Sequence, residues 1–347
     1  MHYSDLSGEQ RRQLIDVQQA WDAWRKLNAD KRRRFVGGMR WAERESGHYL
    51  LRKIGTAERS LGPRSPKTER AHDAFMSGRE ANTKLLKGVS ARLDAMAPVN
   101  RAMGLGRMPI TPARILRECD VRDLLGEQIF VVGTNALYAY EALTGVRFES
   151  GLVATADIDL LFDARRRMSI VARDEINQKG LIGILQHADK SFAPQRKRGF
   201  RAVNEKAYLV DLIRPQAKNM LSDHRAAALS DNDSDLEGAA IFGLDWLINA
   251  PKIETVVIDE RGYPAPIVAV DPRIYALHKF WLAARDDRDK VKARRDYEQG
   301  SAVASLAVNY LKLNFDAPDL SALPEAIRHI PAGLSSMTKE PSETPKW

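Results

Sequence analysis

A single cysteine, Cys119, is all that the 347-residue chain holds. It cannot close an intramolecular bridge, so the fold does not depend on an oxidising compartment. No apolar run approaches the roughly 20 residues that cross a bilayer. The polar start Met1–Gln10 lacks the apolar stretch of a signal peptide. These absences set the expectation of a cytoplasmic protein with no membrane partner. The seven histidines (His2, His48, His72, His187, His224, His278 and His329) show no His-x-x-x-His spacing of a metal site. The Gly-Lys-Ser/Thr of a phosphate-binding P-loop is missing as well.

Hydrophobic residues make up 44% of the chain and charged residues 29%. Those proportions exclude a collagen-like or wholly disordered chain. At about 150 residues per domain, the length suggests two domains. Residues 1–120 carry 24 basic and 14 acidic side chains, a net of +10, whereas the remainder is −2. Charge asymmetry of this kind points to an acidic partner such as nucleic acid. A solubilising helical surface is the plain alternative.

Helical spacing of Leu14, Val17, Trp21, Trp24 and Leu27 predicts helix over residues 9–60, with a second helix over Thr68–Ala95. The Pro/Gly-punctuated stretch Ala97–Pro112 reads as a connector, followed by a short helix, Ala113–Leu125. The character then changes. Ile129–Val132 is a short all-apolar run ending in Gly133, as a buried strand would be. Thr134 is placed to cap a helix over Asn135–Leu143 that Gly145 ends. Further strands are expected at Thr155–Phe162 and Ala207–Ile213, with a helix at Ile170–Gln186 and a basic loop or hairpin at Lys190–Arg201. Glu254–Ile258 and Ile267–Val270 read as a late hairpin. A long helix from Arg273 to Gln299–Gly300 follows, then a last one over Ala302–Lys312. The tail Ala332–Trp347 has a disordered composition. The expected division is a basic helical region (1–112), a core (113–250), a hairpin and helical region (251–331) and the tail (332–347).

Three features carry chemistry. Gly133-Thr134-Asn135 joins a buried strand to a helix, and a helix N-terminus presents free N–H groups that suit phosphate. Simple capping explains the same residues. In TADIDLLFD, Asp157 and Asp159 point to one face of a strand. Neighbouring carboxylates repel, and a cation relieves them; Mg²⁺ favours carboxylate and phosphate oxygens. A polar edge strand with both groups solvated is the alternative. Asp211, inside AYLVDLIRP, is a charge on an apolar strand that must be paired or bind metal. A salt bridge to one of the nearby arginines, such as Arg214, would satisfy it.

Together, a strand ending in Gly-Thr, a strand with Asp-x-Asp and a strand with one Asp resemble the nucleotidyltransferase superfamily with the polymerase-β-type fold. VVGTNALYAYEALTGVRF, ATADIDLLFD and DPRIYALHKFWLAARDDRDKVKARRDYEQ resemble a family of stand-alone prokaryotic nucleotidyltransferases, from about Ser60 to Leu313. The stretch is also similar to nucleotidyltransferase toxins of the abortive-infection type, with Lys279 and Arg295-Asp296 at their later motifs. Thr134 stands where Ser is more usual, and Asp157 follows Gly133 at a longer spacing than in minimal members.

The resemblance implies an α+β protein: a polymerase-β-like core with a mixed sheet, flanked by N- and C-terminal helical regions. It implies transfer of an NMP from an NTP to an acceptor hydroxyl with Mg²⁺ or Mn²⁺. Asp157, Asp159 and Asp211 would be the catalytic and metal-binding residues. Gly133, Thr134, Asn135 and Lys279 would meet the nucleotide. RNA, such as a tRNA 3′ end, is the expected acceptor. A protein side chain in a toxin–antitoxin setting, or a small molecule such as an aminoglycoside, is the alternative acceptor. A non-catalytic nucleotide- or RNA-binding module is the rival class. On one helix, Arg285, Arg288, Lys292 and Arg295 would share a face, lining a channel or facing solvent.

Overall fold

The structure, a computed structural model, describes residues 2–166, 174–216, 230, 232, 234–321 and 323–328. The tail 332–347, His224, His329 and the first turn of the helix expected at Ile170 lie outside the described residues. The chain divides into two compact units. One comprises Arg12–Leu105 with Arg261–Pro264, and the other holds the remaining described residues.

The smaller unit departs from the all-helical expectation for residues 9–60. The helix Gly8–Arg33 is followed by β2 (Gly38–Arg44), β3 (Gly47–Ile54) and β4 (Ala57–Pro63), which form an antiparallel three-stranded sheet; β1 (Tyr3–Asp5) belongs to the other unit. Two-residue turns join these strands, and Gly55, at φ 58°, supplies the left-handed conformation that a tight hairpin needs. Only Leu50 and Leu51 are buried in this sheet, so its apolar pattern is faint. The next helix, Pro66–Ala102, opens with a capping box between Ser65 and Thr68. It runs through Pro98 into the stretch expected to be a connector. Asn100 holds its last turn: the side chain donates to the Gly262 carbonyl (2.8 Å) and accepts from Gln13 (2.8 Å).

In the larger unit an eight-stranded mixed sheet runs in the order β12-β13-β5-β7-β10-β9-β8, with β11 paired to β10. The strands are β5 (Ile129–Val132), β7 (Asp157–Phe162), β8 (Ala193–Pro194), β9 (Arg201–Val203), β10 (Leu209–Pro215), β11 (Ala239–Ile241), β12 (Lys252–Ile258) and β13 (Pro264–Val270). A separate pair joins β1 to β6 (Val146–Phe148). Every residue of β5 and β13 is buried, as continuous apolar runs require. The expected strands, the β8–β9 hairpin and the β12–β13 pair are all present. β5 is antiparallel to β7, and β7 is parallel to β10.

The expected Arg273–Gly300 helix is two helices, Pro272–Ala283 and Lys290–Asn309, and the second absorbs most of the expected final helix. Gly300 therefore does not end a helix. A Cβ there would sit 2.9 Å from the Phe280 ring, so the glycine lets the two helices approach closely. Lys290–Asn309 also packs on the helices Ala136–Thr144 and Ser150–Val153.

Candidate active site

The sheet register brings the three acidic residues to one place. Val132, the last residue of β5, pairs with Asp159, and Asp159 pairs with Asp211 on β10. Register partners on adjacent strands share a face, and so do residues two apart on one strand. Asp157, Asp159 and Asp211 thus occupy one face beside the end of β5. Burial and the like charges of Asp157 and Asp211 push the Asp159 carboxyl up to about 7, against the pull of Lys279 and Arg201. Among the described residues no hydrogen bond or ion pair reaches that carboxylate.

The other two acidic groups are engaged. Asp157 accepts from the Thr155 hydroxyl. Asp211 is buried and holds the Arg201 guanidinium in a two-pronged pair at 2.6 and 2.5 Å. A nearby arginine does pair with it: the partner is Arg201, its register neighbour on β9, rather than Arg214, whose Nε donates to the Gly238 carbonyl at 2.9 Å. Among the described residues no group of three His, Cys, Asp or Glu side chains is arranged to hold a metal ion as it stands. The donor chemistry still suits a hard divalent cation: three carboxylates share one face, and the central one lacks a partner.

The turn after β5 backs onto this cluster. Gly133 has φ 63°, and a Cβ there would lie 2.1 Å from the Asp159 Oδ2. The glycine is thus required twice, by its left-handed backbone and by the carboxylate against it. Residues Gly133–Asn135 form a 3₁₀ turn, and Thr134 does not cap the following helix as expected. Its hydroxyl oxygen instead accepts from Gln299 Nε2 at 3.2 Å. The Tyr275 hydroxyl donates to the Gly133 carbonyl at 3.1 Å. Asn135 donates from Nδ2 to the Asp157 carbonyl at 2.6 Å, which ties the turn to β7.

Lys279 lies in a second charged cluster. Its Nζ donates to Asp296 Oδ1 at 2.7 Å, while Arg288 holds Oδ2 at 2.8 and 2.6 Å. Lys279 and Asp296 are buried. Burial pushes the lysine down, opposed by Asp296 and by Asp159, so the two clusters lie within electrostatic reach. The break between helices dissolves the expected four-residue basic stripe. Arg285 precedes the second helix and pairs with Asp287, whereas Arg295 donates to the Ala154 carbonyl.

Residues 111–324, well over half of the chain, match a nucleotidyltransferase family model. The chain belongs to that family. No curated protein and no solved structure matches it. Every residue of both clusters falls inside the matched span.

In this nucleotidyltransferase the remaining chemical candidates have structural duties. Burial pushes the Cys119 thiol up to about 12, which keeps it protonated and inert. Asp163 follows β7 and clasps Arg165 at 2.8 Å through each carboxylate oxygen. His278 is buried and driven down to about 3, so it stays neutral. Sequence reasoning missed Arg201, Gln299 and Tyr275. Arg201 becomes visible only through the β9–β10 register. Gln299 stands three residues after Asp296, and that helical spacing is the one signal that could have marked it. No described helix is long and apolar enough to cross a membrane.

Proposed function

We propose that the enzyme transfers an NMP from an NTP to an RNA hydroxyl, on a polymerase-β-type core and with a divalent cation. The observation that carries this reading is the pairing of Asp159 with Asp211 beside the Gly133 turn. It sets an uncompensated carboxylate between two others, next to a backbone turn suited to phosphate.

Asp157 and Asp159 would hold the cation, with Asp211 completing the set once it shares or leaves Arg201. When bound, Mg²⁺ or Mn²⁺ supplies charge neutralisation for the triphosphate. Gly133 and Thr134 receive the β- and γ-phosphates through the backbone N–H groups and the hydroxyl. Lys279 and Arg288 place two positive charges on one carboxylate, and the surplus draws the triphosphate. Asn135 keeps the turn and β7 at a fixed separation. The acceptor hydroxyl attacks the α-phosphorus, a new P–O bond forms, the bridging P–O bond breaks and pyrophosphate leaves. The hydroxyl proton passes to Asp211. Arg201 engages both Asp211 oxygens, so one of them must be released before it can take the proton.

The acceptor assignment rests on charge: residues 1–120 carry a net of +10, suited to a phosphate backbone. The test incubates the enzyme with each α-³²P-labelled NTP, Mg²⁺, total cell RNA and lysate protein. Label in RNA, abolished by EDTA, is expected. Label in protein alone would replace the RNA acceptor by a protein one. Absence of transfer from all four NTPs would overturn the reading.

A further inference from the structure

We infer that Gln299 is a positioning residue that fixes Thr134 as a hydrogen-bond donor to the incoming triphosphate. The inference rests on the reading of Gly133–Thr134 as the phosphate cradle, and adds how that cradle acquires its polarity.

Gln299 lies on the helix Lys290–Asn309 and is fully buried. Its Nε2 donates to the Leu152 carbonyl at 2.7 Å and to Thr134 Oγ1 at 3.2 Å. A backbone carbonyl only accepts, so the Leu152 bond decides which end of the amide faces the turn. It must be the NH₂ group, whose two protons are divided between the carbonyl and the threonine. The Thr134 oxygen is thereby occupied as an acceptor, and its own proton points elsewhere. Among the described residues that proton has no acceptor. A hydroxyl free to rotate could turn a lone pair toward an approaching phosphate and repel it; here Gln299 engages one of the two lone pairs, which biases the proton toward the directions left open. Thr134 is half-buried and directly follows the glycine that backs Asp159.

The far end of the same amide supports a functional duty. Gln299 Oε1 is buried with no hydrogen-bond partner among the described residues. An orphaned acceptor is unfavourable, and an apolar side chain of similar length would avoid it. The amide is therefore not explained by packing. It is explained by the two protons it delivers.

The test uses inorganic tripolyphosphate with Mg²⁺, a probe independent of base identity, with its Kd read by calorimetry on the full chain. Gln299→Met and Thr134→Val are each expected to weaken binding about ten- to a hundredfold, the range for a hydrogen bond to a charged group. The double variant is expected to be no weaker than either single one, because Gln299 acts through Thr134. Thr134→Ser, which keeps the hydroxyl, is expected to bind as wild type. Gln299→Asn provides a second variant should Gln299→Met fold poorly; it retains the amide but falls short of Thr134, and the same loss is expected. Loss on Thr134→Val with wild-type binding in both Gln299 variants would overturn the inference alone, as would losses that simply add. Failure of the wild-type enzyme to bind tripolyphosphate would instead overturn the cradle reading and this inference with it.

Discussion

The two charged clusters of the larger unit are built in opposite ways. On the strands, three carboxylates stand beside one guanidinium, which Asp211 alone holds, and the central carboxylate has no partner among the described residues. On the helices, one carboxylate is shared by a lysine and an arginine, and every charged head is held. The strand cluster has surplus negative charge and the helix cluster surplus positive charge. Neither is neutral alone. Lys279 and Asp159 feel one another, so the clusters lie within electrostatic reach. A divalent cation and a triphosphate are the charges that would complete the first and the second.

Neutralising the strand cluster should have the largest effect. Asp159→Asn is expected to lower NMP transfer by about a thousandfold or more, since cation-borne charge stabilisation is worth several kcal/mol. The fold should survive, because the replacement removes an uncompensated charge. A variant that retained wild-type turnover would break the comparison at its centre.

Removing the positive surplus comes next. Lys279→Met leaves Asp296 with Arg288 alone and is expected to destabilise the protein by about 3 kcal/mol, the lower end for breaking a buried pair. KM for the NTP should rise with it. Denaturant unfolding and steady-state kinetics measure both, and an unchanged KM would detach Lys279 from the substrate.

The pH dependence of stability sharpens the contrast. Asp159 is raised to about 7 when folded, against about 4 for an unfolded aspartate. The folded state therefore binds the proton more tightly. Its contribution to stability is full below about pH 4 and is lost as pH rises through about 7. Thermal melts of wild type should fall across this window, and Asp159→Asn should flatten the fall. An equally steep fall in the variant would assign the titration to another group.

The smallest effect is expected at Arg201, whose guanidinium is partly exposed and discounted by solvent. Arg201→Gln releases Asp211 and should tighten divalent-cation binding by less than about tenfold. Weaker binding would show that Arg201 supports the cation site.

Much of the larger unit was legible in the sequence for a physical reason. Strands buried on both faces must be apolar throughout, so Ile129–Val132 and the runs around Asp157 and Asp211 stood out, with the acids conspicuous inside them. Gly145 ended its helix as expected, at φ 68°. The smaller unit's sheet buries little, so alternation over residues 38–60 was masked by charge and read as helix. The proline at 98 suggested a break, yet the helix runs through it, and Asn100 anchors its last turn through partners distant in sequence. Tertiary pairing hid the rest. Nothing local ties Asp211 to Arg201 rather than Arg214, and nothing local shows that Gly300 marks a helix crossing or that Gln299 reaches Thr134.

The most direct test is a Mn²⁺ titration followed by electron paramagnetic resonance on wild type and Asp159→Asn, with folding checked by circular dichroism. The account predicts that wild type takes up Mn²⁺ and that the variant, equally folded, does not. Equal uptake by both would contradict it.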